Sequence, residues 1–173
     1  MSLDHLWAGW RSPYMQAATG PEDTSPLRPR DGQSLFEAIL GSDLPDDQTY
    51  IVHRGATCFV ILNAYPYTSG HVLVLPKRGV GELEDLTEAE AVELWALARA
   101  SVIAITTAYR CEGVNLGMNL GRAGGAGVPD HLHIHVLPRW SGDTNFMTAV
   151  AETRVLPETL GESWAKLRGA WPT

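Results

Sequence analysis

Three histidines fall at strict alternation in the stretch Asp130-His131-Leu132-His133-Ile134-His135-Val136-Leu137-Pro138. Apolar residues fill the positions between them, which is the period-2 pattern of a half-buried strand. Successive side chains of a strand point to opposite faces, so Leu132, Ile134 and Val136 turn one way and the histidines the other. Residues two apart on a strand stand about 6.5–7 Å from each other. One rigid ladder therefore presents three of the chain's six histidines to a single face.

Two chemistries use such a ladder. Imidazoles on one strand are good zinc ligands, as in sites with three histidines and an open water position. Alternatively, one imidazole attacks phosphorus while its neighbours fix its tautomer and bind phosphoryl oxygens. Just upstream lies Leu120-Gly121-Arg122-Ala123-Gly124-Gly125-Ala126-Gly127, with four glycines in seven positions. Glycines let a backbone approach a ligand closely and turn its N–H groups toward anions. That neighbourhood favours phosphate. The segment is not a dinucleotide fingerprint, because it joins strand to strand rather than opening a helix.

On these residues the chain resembles the histidine triad superfamily of nucleotide hydrolases and transferases, whose signature matches His131-x-His133-x-His135 followed by Val136-Leu137. A second match is Asn63 with Ser69-Gly70-His71-Val72-Leu73-Val74-Leu75-Pro76-Lys77, similar to that family's asparagine strand and Gly-His-x-Leu-x-x-Pro strand. The run Asp4-x-Leu6-Trp7-Ala8-Gly9-Trp10-Arg11-x-x-Tyr14 resembles the N-terminus of the branch of bacterial diadenosine tetraphosphate phosphorylases. Many members carry a Cys-x-Phe-Cys zinc motif where this chain has Ser34-Leu35-Phe36-Glu37, so the resemblance does not imply a structural zinc.

The resemblance implies the roles. His133 attacks the α-phosphorus of a dinucleoside polyphosphate and forms a nucleotidyl-histidine, splitting one displacement into two easier steps. His135 and His71 donate to phosphoryl oxygens or to the leaving group, and His131 completes the imidazole set. Asn63 bonds a ribose hydroxyl, and Asn119 lies near the phosphates or ribose. Gly125, Ala126 and Gly127 offer backbone N–H groups to the phosphates; many relatives have a serine, glutamine or asparagine at the position of Gly127. Phe59 and Ile61 are candidates for the base pocket, with plain core as the alternative. Trp140 belongs either to the nucleotide surface or to packing at the sheet edge. Arg122 and Arg139 are the nearest cations. With inorganic phosphate as acceptor, the reaction is phosphorolysis of diadenosine tetraphosphate to ATP and ADP. With water it is hydrolysis, and a phosphoramidase needs no more than the triad. A non-enzymatic nucleotide- or zinc-binding module is the third reading. No cofactor is required, and a divalent cation is expected only as the nucleotide's counter-ion.

These residues need a scaffold, and the remaining sequence supplies one of α+β class. At 173 residues, with 45% hydrophobic and 19% charged content, one folded domain is the default. Tyr50–Arg54 and Thr57–Leu62 read as a hairpin split at Gly55-Ala56, His71–Pro76 as the next strand, and Gly113–Leu120 as another. Thr87-Glu88-Ala89-Glu90 is a capping box opening a long helix to Arg110. Val92, Trp95, Ala98 and Val102 are expected to form its apolar stripe, broadened by Leu94, Leu97 and Ile105. Leu35, Phe36, Ile39 and Leu40 predict a short helix ended by Gly41, and Trp164, Leu167 and Trp171 a final one. The expected fold is a mostly antiparallel sheet of about five strands with the long helix packed across it.

Residues 1–18 read as an aromatic arm, 19–33 as a flexible connection, and 34–173 as the catalytic domain. Cys58 and Cys111 are isolated, suggesting neither disulfides nor a cysteine metal site. The net charge of −7 argues against a nucleic-acid partner. There is no run of 18 apolar residues and no signal peptide, from which a membrane partner is not expected and a cytoplasmic location is. The family resemblance adds a homodimer or homotetramer.

Overall fold

The computed structural model describes residues 29–143 and 156–173. The aromatic arm, most of the expected connection and residues 144–155 lie outside the described residues. Two short helices, α1 (Leu35–Leu40) and α2 (Asp46–Thr49), lead into the sheet. Strands β1 (Ile51–Arg54), β2 (Cys58–Leu62) and β3 (Val72–Pro76) follow, then the long helix α3 (Glu88–Tyr109). Strands β4 (Gly113–Met118) and β5 (Ile134–Arg139) complete the sheet, and α4 (Leu160–Gly169) closes the described chain. The strand order is β1-β2-β3-β5-β4, and every pairing is antiparallel. The α+β fold expected from the sequence is the fold observed.

Local chemistry explains the boundaries. The hydroxyls of Ser34, Thr87 and Thr159 cap α1, α3 and α4, and in each case the glutamate three residues on reaches back to the cap. The β1–β2 hairpin is fastened to α3 by Glu93, whose carboxylate accepts from the N–H groups of Ala56, Thr57 and Cys58. Burial alone would raise the pKa of Glu93, but the Thr57 hydroxyl and these N–H groups hold it at about 2. At the edge strand β1, the Trp164 indole and the Arg168 guanidinium of α4 donate to the carbonyls of Ile51 and Val52, each at 2.9 Å.

The sheet has two unlike faces. Helix α3 packs Leu94, Leu97, Ala98, Ala104 and Ile105 over Val60, Val72, Val74, Ile134 and Val136. On the other face Phe36 of α1 joins Ile51, Phe59, Ile61, Leu73 and Leu75 in a smaller cluster.

Two expectations need correction. Val92 and Trp95 are exposed, at 66% and 59%, and do not belong to the buried stripe. The helix is apolar nearly all round, so periodicity could not choose which side meets the sheet. Strand β5 begins only at Ile134, because the chain ahead of it is engaged elsewhere. The His131 N–H bonds the Val128 carbonyl in a turn, and the Leu132 N–H bonds that of Val80. Helix α3 is long and apolar enough by composition to cross a membrane, and in this fold one of its faces covers the sheet.

Candidate active site

On the face away from α3 lies a cavity of about 480 Å³. Leu35, Phe36 and Ile39 of α1 form one wall and Ile61 of β2 another, with Asn63 and Tyr67 from the β2–β3 connection. The glycine loop contributes Arg122, Gly125, Ala126 and Gly127, and His133 and His135 complete the lining. The antiparallel register sets Leu73 of β3 against His135, so the histidines share their face with the smaller apolar cluster.

The hydrogen bonds determine where each imidazole carries its proton. The His133 Nδ1 donates to the backbone carbonyl of His131 at 2.8 Å. A carbonyl only accepts, so in the neutral ring the proton sits on Nδ1 and the lone pair on Nε2. The His131 Nε2 donates to the Pro76 carbonyl at 2.8 Å, which leaves its Nδ1 to accept from the Ser34 hydroxyl at 2.6 Å. The Ser34 oxygen in turn accepts from the Glu37 N–H.

His71 follows the opposite pattern. Its Nδ1 accepts from the Tyr67 N–H at 3.1 Å and faces the Asn63 side-chain nitrogen at 3.3 Å. Its proton is therefore on Nε2, directed at the His135 Nδ1 3.0 Å away. His135 then carries its own proton on Nε2. The array thus holds a lone pair on one ring of the cavity wall and a proton on the next, with the two ring centres 4.9 Å apart. Burial lowers the pKa of both His131 and His133 below the ordinary 6.5, keeping them neutral. A neutral imidazole with a free Nε2 is a nucleophile; one with a fixed Nε2–H is a hydrogen-bond donor.

The residues singled out from sequence divide into three groups. Asn63, Ile61, Gly125, Ala126, Gly127, His133 and His135 line the cavity. His71 and His131 are fully buried behind it and reach it through hydrogen bonds. Phe59, Asn119 and Trp140 are not in the wall. Phe59 is fully buried in the smaller cluster, opposite Leu75 one strand-step below Ile61, so it is core rather than pocket. Asn119 stands just beyond the end of β4, and Trp140 packs edge-on against Tyr109 at 6.3 Å.

Three contributors escaped the sequence reading. Ser34 reaches His131 across 97 residues, and Phe36 sets its ring edge against those of His131 and His133 at 5.3 and 5.6 Å. The Ser34-x-x-Glu37 capping box was a readable signal for a helix start, but nothing local pointed to the histidine. Tyr67 acts through its backbone N–H and stacks near His135 at 5.8 Å.

Comparison with known proteins fits this geometry. The HIT domain family model matches residues 46–142. The chain is 38% identical over 173 residues to the AP-4-A phosphorylase of Mycobacterium tuberculosis H37Rv, covering 98% of this chain and 85% of that protein. It is 36% identical to the bis(5'-adenosyl)-triphosphatase of Dictyostelium discoideum over 92 residues, 53% of this chain and 61% of the relative. A zinc-bound histidine triad family protein from Mycobacterium smegmatis superposes with a TM-score of 0.65 at 28% identity, covering 79% of this chain and 91% of that one. Zinc does not fit the donors here. Ser34 and Glu37, at the cysteine positions of the Cys-x-Phe-Cys pattern, are engaged with His131 and with the N–H groups of Ser34 and Gly79. Among the described residues no three His, Cys, Asp or Glu side chains gather as a metal set. By its alternating histidines, its sheet and its match across more than half its length, the chain belongs to the histidine triad family.

Proposed function

We propose that the protein is a nucleotidyltransferase that phosphorolyses diadenosine tetraphosphate to ATP and ADP. The observation that carries this reading is the His133 ring, held with Nδ1 on a carbonyl and with Nε2 at the cavity, unbonded among the described residues. The near full-length similarity to an AP-4-A phosphorylase supports the choice of substrate and acceptor. The His133 Nε2 attacks the α-phosphorus at one end of the substrate. A P–N bond forms as the bond to the bridging oxygen breaks, and ATP leaves with that electron pair. The His135 Nε2–H stabilises the charge developing on the departing oxygen. An oxygen of inorganic phosphate then attacks the same phosphorus, the P–N bond returns its electrons to imidazole, and ADP is released. Asn63 and the Gly127 N–H hold ribose and phosphates, whereas the Gly125 and Ala126 N–H groups expected to join them are spent on the Arg122 and Gly121 carbonyls, and Ile61 with Leu35 and Ile39 encloses the base.

Water as the acceptor would make the same intermediate a hydrolase, the reading favoured by similarity to the triphosphatase. Product analysis separates the two. ATP plus ADP, formed only with phosphate and lost in His133→Ala, supports phosphorolysis; ATP plus AMP without phosphate contradicts it. We further propose a homodimer or homotetramer, because Val92, Trp95 and Ile103 of α3 and Leu116 of β4 are exposed apolar residues. A monomer by light scattering would contradict that.

A further inference from the structure

The proposed second step asks for something the histidines do not supply. A phosphate dianion must approach a nucleotidyl group that is itself anionic, and like charges at that range repel strongly in a cavity walled by apolar side chains. Water meets no such barrier. An enzyme that prefers phosphate therefore needs fixed positive charge on the acceptor side. The overall field is unhelpful, since the chain carries a net charge of −7.

Of the two cations near the triad in sequence, Arg139 is already engaged. Its Nε and Nη2 donate to the Asp143 carboxylate at 2.6 and 2.7 Å and its Nη1 to the Asn115 side-chain oxygen at 2.6 Å. It is also absent from the cavity wall. Arg122 lines the cavity together with His133 and His135, and it forms no ion pair with another described residue. Among the described residues no lysine, aspartate or glutamate shares that lining, and Arg122 is the one permanent charge there.

Arg122 is exposed, and the backbone that carries it is fixed by bonds within the loop. The Arg122 carbonyl accepts from the Gly125 N–H at 3.0 Å, and the Gly121 carbonyl from the Ala126 N–H at 3.2 Å, closing the turn on itself. Gly125 sits at φ +89°, and a Cβ on Gly124 would run into the Leu120 carbonyl. Gly127 presents no side-chain donor. The guanidinium, with its fork of donors, is then the side chain of this loop best suited to a free phosphate.

We propose that Arg122 forms the acceptor subsite for inorganic phosphate, and so sets the preference for phosphate over water. The inference rests on the phosphorylase reading above. No base is required of the subsite, because the attacking oxygen of the dianion carries no proton. Water would have to lose one.

The test uses the full chain with diadenosine tetraphosphate, varying orthophosphate and measuring ADP, the phosphate product, against AMP, the water product. Release of ATP without phosphate reports the first step separately. Arg122→Gln is expected to raise the KM for phosphate roughly 10- to 100-fold, the range of a lost charged hydrogen bond, and to lower the ADP-to-AMP ratio. Arg122→Lys should recover part of that loss by restoring charge without the fork. Arg99→Gln, an equal charge change on the exposed side of α3, should leave the phosphate KM within about 2-fold, the expectation for a screened distant charge. An Arg122→Gln enzyme with the parental phosphate KM and ADP-to-AMP ratio overturns the proposal. So does an equal effect of Arg99→Gln, which would assign the effect to net charge. Failure of the parent protein to form ADP at any phosphate concentration overturns the phosphorylase reading itself, and is seen before any variant is made.

Discussion

The two faces of one sheet are made from the same strands and treated oppositely. Toward α3, Val60, Val72, Val74, Ile134 and Val136 are at most 1% exposed beneath a helix of 22 residues. Toward α1, a helix of six residues covers only part of the sheet, and the uncovered part is the cavity with His133 and His135 in its wall. Alternation along β5 assigns each residue to one regime or the other. The closed face carries the stability that lets the open face leave space and polar groups uncovered. The histidines of the open face are tolerated because both nitrogens of the fully buried His71 and His131 have partners and the His133 Nδ1 has the His131 carbonyl.

The sharpest way to break this contrast is to alter one residue on each face. On the open face, His133→Ala should lower turnover by about 10³-fold or more, the scale of losing a nucleophile, with the melting temperature nearly unchanged. On the closed face, Ile105→Ala should cost about 2–5 kcal/mol of stability by leaving a cavity, with the KM for substrate unchanged while the protein is folded. Chemical denaturation and steady-state kinetics on both variants check the pair. If Ile105→Ala impaired turnover in the folded enzyme as much as His133→Ala, the division of labour would be wrong.

A smaller effect is expected where the faces meet. Ser34 caps α1 and donates to His131, whose carbonyl holds the His133 proton. It is a positioning residue. Ser34→Ala should lower kcat about 10-fold, the rate equivalent of about 1.4 kcal/mol and close to the worth of a cap, with KM little changed, and Ser34→Thr should restore it. A rise in KM at constant kcat would instead place Ser34 in substrate binding.

The pH dependence should separate stability from turnover on the open face. Burial holds His131 and His133 below 6.5 in the folded protein. As pH falls past 6.5 the unfolded chain takes up these protons first, so their contribution to stability is full above that value and is lost below it. The nucleophile, by contrast, stays neutral to lower pH. The rate of ATP release should therefore hold constant down through pH 6.5. An acid limb at or above 6.5 in that first step would contradict a nucleophile kept neutral by burial.

Much of this contrast was legible in the sequence. The alternation of histidine with apolar residues set His135 and its neighbours Ile134 and Val136 on opposite faces of β5, and the box at Thr87 marks a helix start that the structure reproduces. What escaped was long-range. The Ser34–His131 bond joins segments 97 residues apart, and Phe36 reaches the same rings from a helix whose partner no local pattern names. Phe59 and Ile61 point to the same face, and only the folded packing shows that Ile61 lines the cavity while Phe59 is buried in the cluster with Phe36. Val92 and Trp95 were misassigned because an almost uniformly apolar helix carries no directional signal.

The central claim is that the free Nε2 of His133 becomes covalently bonded to the substrate's α-phosphorus. Incubating the protein with diadenosine tetraphosphate in the absence of phosphate, quenching rapidly and mapping the modified peptide by mass spectrometry tests it directly. The account predicts one adenylyl group on His133, absent from His133→Ala and discharged as ADP when phosphate is added. Formation of ADP at the full rate with no adduct, or an adduct on another residue, would contradict it.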